Sequence, residues 1–334
     1  MASVREIARV ANVSASTVSR MLNGTVPVSD KTRALVLSAI ESIESKGAQK
    51  TQPHVTVSIL MLSPSTSNVQ NHSVIYTILL SMVKELSEKG VGNTLIAWND
   101  ETDTAGQLLE TQTNGFLILG GSEHQVEKLA RFFIDRQIPY IFINREIKAF
   151  RISSVVIDNE ESCRMSVEYL ISLGHKRIAY LSGDEQYGHS KARLEGYLKA
   201  MKAAQLPVPQ EYVLYGDYSE TIGYRMGRTL FNLNPRPTAV CTSNDLLAIG
   251  CMRYFKEHGL NVPEDFSVIG FGDSSECMNT HPQLSTVFQP NEEFGRIAVD
   301  TLLQMIHSPS IVHQNIMLST RLTLRGSTGP VKAV

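Results

Sequence analysis

The residues best suited to chemistry in this sequence fall into two groups far apart along the chain. The first is Ala15, Ser16, Thr17, Ser19 and Arg20, all small or hydroxylic apart from one arginine. Small side chains let a helix sink into a major groove, hydroxyls bond phosphates or bases, and an arginine fork grips guanine bidentately. The same residues would also suit the solvated face of a helical cap. The second group is Asn144-Arg145, Arg193, Tyr218 and Asn244-Asp245. An arginine fork can hold two hydroxyls or a carboxylate. An amide beside a carboxylate both donates to and accepts from vicinal hydroxyls, and a tyrosine ring can stack on a sugar face. Each of these has a local alternative: Asp245 as a helix cap, Arg193 as partner of a neighbouring glutamate.

Catalytic signatures are missing. The chain has no H-E-x-x-H, no G-x-S-x-G, no G-x-x-x-x-G-K-[ST] and no metal-spaced His/Cys cluster, so no enzyme, metal or cofactor is expected. Gly120-Gly121-Ser122 follows an apolar run and imitates a phosphate loop, but no G-x-G-x-x-G surrounds it. His175 reads as a loop residue packed between helix and strand. Cys163, Cys241, Cys251 and Cys277 lie in apolar surroundings without a C-x-x-C pair and read as reduced core residues.

The first group needs a helix, and the first 45 residues supply a helical pattern. Val4, Ile7, Ala8 and Ala11 recur at helical spacing. A break follows at Asn12-Val13-Ser14, where asparagine tolerates the left-handed turn, Val13 plugs the angle and Ser14 is a good N-cap. The second helix is Ala15–Leu22, with Val18 and Leu22 on one face, stopped by Asn23-Gly24. Ser29 caps a third helix striped with Val36, Ile40 and Ile43. Two short helices on a three-residue turn make a helix-turn-helix.

These residues carry a resemblance. V-x-x-I-A-x-x-A-x-V-S-x-x-T-V-S-R-x-L-N-G, followed by V-S-x-x-T-R, resembles the head of the Lac/Gal repressor family of bacterial transcription regulators over about forty positions. The resemblance implies base reading by Ala15, Ser16 and Arg20, and phosphate contacts by Thr17, Ser19, Asn23, Ser29, Thr32 and Arg33. The head is therefore placed at 1–46 and a linker at 47–54. The linker departs from the family: it lacks the Tyr-x-Pro-Asn turn, and no leucine stands between Leu37 and Leu60. The family's minor-groove leucine wedge is therefore expected to be absent, with weaker operator kinking.

The second group needs strand ends. From residue 55 short apolar runs alternate with amphipathic stretches. Strands are expected at Val55–Leu62, Thr94–Trp98, Phe116–Leu119, Tyr140–Ile143, Ile178–Leu181, Ala239–Thr242 and Ser267–Gly270. Helices are expected at His72–Lys89, Glu123–Arg136, Glu160–Leu173, Lys191–Ala204, Thr221–Leu233 and Asp245–His258. The fold class is α/β: two doubly wound parallel-sheet lobes, with a ligand site at the carboxyl ends of the strands. L-G-H-K-R-I-A-Y-L-S-G, A-R-L-E-G-Y, S-N-D-L-L-A-I-G and V-P-E-D-F-S-V-I-G-F are similar to the same family's core, which has the periplasmic sugar-binding-protein fold. That resemblance implies a first lobe of 55–158 plus 290–317 and a second of 159–289 plus 318–330. It also implies an effector pocket at Asn144, Arg145, Arg193, Tyr218, Asn244, Asp245 and Phe271. Where the family reads G-F-D-D, this chain has Gly270-Phe271-Gly272-Asp273. The change removes an acceptor and opens space at Gly272, and Asp273 is a candidate substitute.

Length, composition and charge agree with this reading. At roughly 150 residues per domain, 334 residues make two or three domains, and 42% hydrophobic with 19% charged residues suits ordinary cores. The net charge of −2 conceals an asymmetry: residues 1–50 hold seven basic and four acidic side chains (+3), leaving 24 basic and 29 acidic groups (−5) for the rest. No apolar run reaches the ~18–20 residues of a membrane helix, and the N-terminus lacks an apolar leader, so a cytoplasmic protein without a membrane partner is expected. The whole reads as a homodimeric repressor on a pseudo-palindromic operator, switched by a small molecule of mono- or disaccharide type. The competing reading is a cytoplasmic sugar-binding protein that has lost DNA binding.

Overall fold

The computed structural model describes residues 4–22, 29, 32–39, 55–62, 73–98, 108–147, 151–308, 310 and 313–332. Contacts divide the chain into two units, 1–55 and 56–334. The linker 47–54 and the positions Asn23, Gly24, Ile40 and Ile43 lie outside the described residues.

In the first unit, α1 (Val4–Ala11) and α2 (Ala15–Leu22) are joined by the expected tight turn, and a third helix, α3, covers 32–39. Asn12 takes φ 51°. Ser14 Oγ accepts from Thr17 N (3.1 Å), and Ser29 Oγ accepts from Thr32 N (3.2 Å), so both serines cap helices. Ile7, Ala8, Ala11, Val18, Val36 and Ala39 form the core, with Val13 and Met21 packed against it. Val4 begins the helix and stays exposed.

The second unit has two six-stranded sheets. The first is ordered β11-β5-β4-β3-β1-β2: β1 (Thr56–Leu62), β2 (Gly92–Trp98), β3 (Gly115–Gly120), β4 (Tyr140–Ile143), β5 (Ser154–Ile157) and β11 (Asn315–Leu318), all parallel. Its helices are α4 (Ser73–Glu88), α5 (Glu123–Asp135) and α10 (Asn291–His307). The second is ordered β12-β10-β9-β8-β6-β7: β6 (Ile178–Ser182), β7 (Val213–Tyr215), β8 (Ala239–Thr242), β9 (Ser267–Gly272), β10 (Ser285–Phe288) and β12 (Arg321–Thr323). Among the described pairs of this sheet only β10/β12 is antiparallel. Its helices are α6 (Asn159–Ser172), α7 (Gly188–Ala203), α8 (Glu220–Phe231) and α9 (Asp245–Glu257). The chain passes between sheets three times: after β5, after β10 and after β11.

Every strand named from the sequence forms, because buried β-branched and aromatic runs suit parallel sheets covered on both faces. β5, β7, β10, β11, β12 and α10 were not anticipated. β7, β11 and β12 are sheet edges of three or four residues with partly exposed sequences, so their apolar signal is short and broken. The first lobe's core is an aromatic stack: Phe133 lies 4.9 Å from Phe116 and 5.3 Å from Tyr140, which meets Phe142 edge-on. The second lobe carries buried polar groups within its core. His175 is bonded through Nδ1 to Thr238 Oγ1 (2.9 Å) and through Nε2 to Ser267 Oγ and the Gly329 carbonyl (both 3.0 Å). All four cysteines are free and buried.

Candidate functional site

Each sheet has one point where the strand order reverses, between β1 and β3 in the first and between β6 and β8 in the second. The helices leaving such a point diverge and open a crevice at the carboxyl ends of the strands. Here the ends of β1 and β3 and the residues after β6 and β8 line one cavity of about 220 Å³ between the lobes.

Arg193 stands in the second turn of α7 and is buried. Its Nε donates to Asn159 Oδ1 at 2.9 Å, its Nη1 donates to the Ser243 carbonyl at 2.5 Å, and its guanidinium lies 3.5 Å above the Phe271 ring. Burial lowers its pKa. Among the described residues no glutamate pairs with it. Asn159, the first residue of α6 after the chain crosses lobes, also donates to Asn144 Oδ1 at 3.2 Å. A line of hydrogen bonds thus runs from Arg193 in one lobe to Asn144, at φ 51° after β4, in the other.

Arg145 is half-buried and donates through Nε to the carbonyls of Gly120 (3.0 Å) and Gly121 (3.1 Å), and through Nη1 to the Asn144 carbonyl (2.8 Å). The double-glycine loop therefore offers carbonyl oxygens to a cation, the reverse of a phosphate cradle's N–H groups, while Ser122 caps α5. Burial, reinforced by the like charge of Arg193 and opposed by Tyr218 and Tyr187, draws the pKa of Arg145 down to about 10.

Asn244, not Asp245, caps α9: its Oδ1 accepts from Leu247 N at 2.9 Å while its Nδ2 donates to the Tyr218 carbonyl at 2.9 Å. Asp245 turns back toward the sheet and accepts from Thr286 Oγ1 (2.6 Å) and Ser274 N (2.8 Å). Burial raises its pKa. Tyr218 donates to or accepts from His189 Nε2 at 3.0 Å and lies in an aromatic group with His189 and Tyr187. Gly183 makes room for it; a Cβ there would fall 2.1 Å from Tyr218 Cζ.

Asn144, Arg145, Arg193, Tyr218, Asn244, Asp245 and Phe271 all line the cavity. Asp273 does not. Its carboxylate accepts from Arg325 Nη2 at 2.5 Å and from Thr323 Oγ1 at 3.2 Å, a half-buried pair that turns it away from the cleft. Nor does Gly272 leave open space: a Cβ there would sit 3.1 Å from Asp245 Oδ2 and 3.5 Å from Val74, and φ is +131°. A side chain at 272 would thus crowd the Asp245 carboxylate from its first atom, although Gly272 itself lines the cavity. Sequence reasoning missed Asp184, Tyr187, His189, Asp217, Ser274 and Gln289, which also line the cavity. A signal existed for two of them, the Tyr-x-His pair in the loop leading into Arg193's helix, but the helix was expected to start three residues late. Among the described residues no group of acids, histidines and cysteines is arranged to hold a metal.

On the helical unit, Ala15, Ser16 and Arg20 are exposed on α2, and Thr17 and Ser19 are half-buried beside them. Ser16 and Thr17 hydroxyls share hydrogen bonds with Ser14 Oγ (2.8 and 2.7 Å). Ser29 and Arg33 are exposed, and the Thr32 hydroxyl lies 2.8 Å from Ser29 Oγ. Asn23 lies outside the described residues.

Comparison with known proteins decides what this combination is. Residues 3–44 match the family described as bacterial regulatory proteins, lacI family, and residues 167–328 match the periplasmic binding protein-like domain. The chain is 30% identical over 331 residues to a probable HTH-type transcriptional repressor, ExuR, of Bacillus subtilis (strain 168), covering 98% of each. The chain belongs to the lacI family. Two solved structures extend the match. A complex of the transcriptional regulator CelR with cellobiose aligns at 28% identity and TM-score 0.74, covering 98% of this chain and 100% of that one. A Lac repressor dimer bound to operator and the anti-inducer ONPF aligns at 25% identity and TM-score 0.73, covering 98% and 99%. This lacI-family chain is a DNA-binding transcription regulator with a two-lobed core, and its relatives are repressors. A protein that has lost its DNA function finds no support among them. No helix among the described residues is long and apolar enough to cross a membrane.

Proposed function

We propose that this regulator is a cytoplasmic, dimeric repressor without catalytic activity, whose operator affinity is set by a small polyhydroxylated molecule held between its lobes. The observation that carries the effector reading is convergence. Of eight cleft residues expected from the sequence, all but Asp273 line one cavity at the switch points of both sheets, though they come from α7, β9, the start of α9, the loop after β4 and the loop before α8. Arg193 anchors the ligand, Asn144 and Asn244 orient its hydroxyls, and Tyr218 and Phe271 supply apolar faces. Asp245, on the cavity wall, ties β10 to the segment after β9 through Thr286 Oγ1 and Ser274 N. The cellobiose bound by the CelR relative and the anti-inducer on the Lac repressor fit this class of effector.

The head reads DNA through Ala15, Ser16 and Arg20 and touches phosphates through Thr17, Ser19, Asn23, Ser29, Thr32 and Arg33. A two-fold dimer of heads matches a pseudo-palindromic operator. The functional parts are a head of 1–46, a linker of 47–54, and two lobes of 55–158 with 290–317 and 159–289 with 318–330. Effector and operator affinities are reciprocally coupled, by ~1–3 kcal/mol at typical magnitudes.

The test is fluorescence anisotropy on DNA upstream of the gene, with and without effector. Arg20→Ala abolishes discrimination between operator and scrambled DNA while ligand-induced thermal stabilisation persists. If Arg20→Ala keeps full operator specificity, the assignment of the reading helix is wrong.

A further inference from the structure

Resting on the reading of the cleft as an effector site, we infer that the effector carries a negative charge: a carboxylate or phosphate on a small hydroxylated skeleton. The cleft presents donors without matching anions. Arg145 and Arg193 both line the cavity, and the positive charge of Arg193 acts against that of Arg145. Neither forms an ion pair with a described carboxylate. Arg193 is held by an amide oxygen, a backbone carbonyl and an aromatic face, and Arg145 by three backbone carbonyls and His189 Nδ1 at 3.3 Å. In each guanidinium Nε and Nη1 do the anchoring, and Nη2 has no hydrogen bond to a described residue.

The described carboxylates on the cavity wall form no ion pair with these cations; Asp245 acts on Arg193 only through its charge, without a hydrogen bond. Asp245 has one oxygen on Thr286 and the other on Ser274 N. Asp184 accepts from Gln186 N and from the Gln186 side chain, and Asp217 accepts from Ser219 N at 2.8 Å. Asp273, the acid nearest in sequence to the family's missing aspartate, is neutralised by Arg325 outside the cavity. A cleft built for a neutral sugar needs acceptors for hydroxyl protons; this one holds its acceptors in internal bonds and leaves cationic donors over. Two desolvated like charges sharing a cavity are costly unless an anion joins them. Tyr218, Ser274, Asn144 and Asn244 stand on the wall beside the uncharged part of such a ligand, each already holding an internal hydrogen bond.

The experiment is thermal shift followed by calorimetry on the full-length dimer, with matched probes on one skeleton. The set is glucose, glucuronate and glucose 6-phosphate, then galactose and galacturonate, with inorganic phosphate and acetate as bare anions. Sodium chloride at equal ionic strength is the control. The expected result is stabilisation by anionic members and not by their neutral partners. A carboxylate preference over phosphate, or the reverse, identifies the source of charge. Arg145→Gln should reduce the preference for anion over neutral partner by about ten- to a hundredfold, the size of one charge-assisted hydrogen bond. Arg145→Lys, which keeps the charge without the fork, should restore part of it. Stabilisation by neutral sugars equal to that by their acids overturns the inference, as does a panel in which no anion exceeds the chloride control. Anions that bind but leave operator affinity unchanged would instead sink the effector reading and leave the anion site standing.

Discussion

The two walls of the cleft are made of different material. The first lobe contributes Met61, Leu62, Val74, Ile75, Ile78, Leu119 and Ile143, an apolar face interrupted by Asn144 and Arg145. The second contributes Asp184, Tyr187, His189, Arg193, Asp217, Tyr218, Asn244 and Ser274, a polar face resting on Phe271. The contrast teaches a division of labour. Hydrogen bonds from the second lobe fix a ligand's orientation, and the first lobe closes over it and removes water. Directional contacts decide which ligand binds; apolar burial adds affinity with little discrimination.

The largest expected effect comes from breaking the polar wall at its centre. Arg193→Ala removes the one side chain that touches Asn159, the Ser243 carbonyl and Phe271 together. Effector affinity should fall at least about a hundredfold, and stability by about 2–3 kcal/mol as buried acceptors lose their donor. Calorimetry with the effector checks the first and urea denaturation the second. The protein should stay on its operator at effector concentrations that release the wild type. Release at the original concentration would show that the polar wall is not the ligand's anchor. Truncating the apolar wall with Ile78→Ala should cost affinity only about three- to tenfold, the loss of one aliphatic contact.

Gly272→Asp sharpens the comparison from another side. In a neutral-sugar cleft this change would restore an acceptor. Here the new Cβ would meet Asp245 Oδ2 near 3.1 Å, bringing a second carboxylate beside the first, and a non-glycine residue would be forced to φ +131°. A loss of about 1–3 kcal/mol in unfolding free energy is expected, with no gain in binding of neutral sugars. A variant as stable as the wild type that binds them tightly would show that the second lobe had merely lost an acceptor.

How much of this was legible in the sequence follows the same contrast. Buried strands such as Tyr140–Ile143 and Ile178–Ser182 announce themselves, because a strand covered on both faces is apolar throughout. Arg193 and Asn244 were legible because their motifs stand at strand ends or early in a helix, where a side chain meets a crevice. Asp273 was misplaced for a physical reason: its partner Arg325 is 52 residues away, and only the antiparallel β12 brings the segments together. Asp245's role was hidden likewise, since Thr286 and Ser274 become its donors only through the β9–β10 pairing. Long-range polar pairing has no periodicity to read.

A smaller effect should appear as pH dependence confined to the second lobe. Burial holds His175 below its ordinary pKa of 6.5. Between that value and the lower one of the folded state, the unfolded chain takes up a proton that the native state refuses. Stability therefore falls as pH drops from about 7 toward 5, by up to about 1.4 kcal/mol per pH unit for this group. His175→Gln should flatten that slope in thermal melts between pH 5 and 7.5. An unchanged slope would place the titrating group elsewhere.

The smallest effect lies where the two walls meet at the surface. Lys191 on α7 reaches Glu123 on α5 across the lobes at 3.0 Å, with the side chains 52% and 50% exposed. An ion pair so wet contributes about 0.2–1 kcal/mol and is screened by salt. Glu123→Gln should thus weaken effector binding no more than about fivefold, and the difference from wild type should vanish in 0.5 M NaCl, where the Debye length is roughly 4–5 Å. A larger loss that persists in salt would mean that closure depends on the surface contact, and the apolar wall would then not be what brings the lobes together.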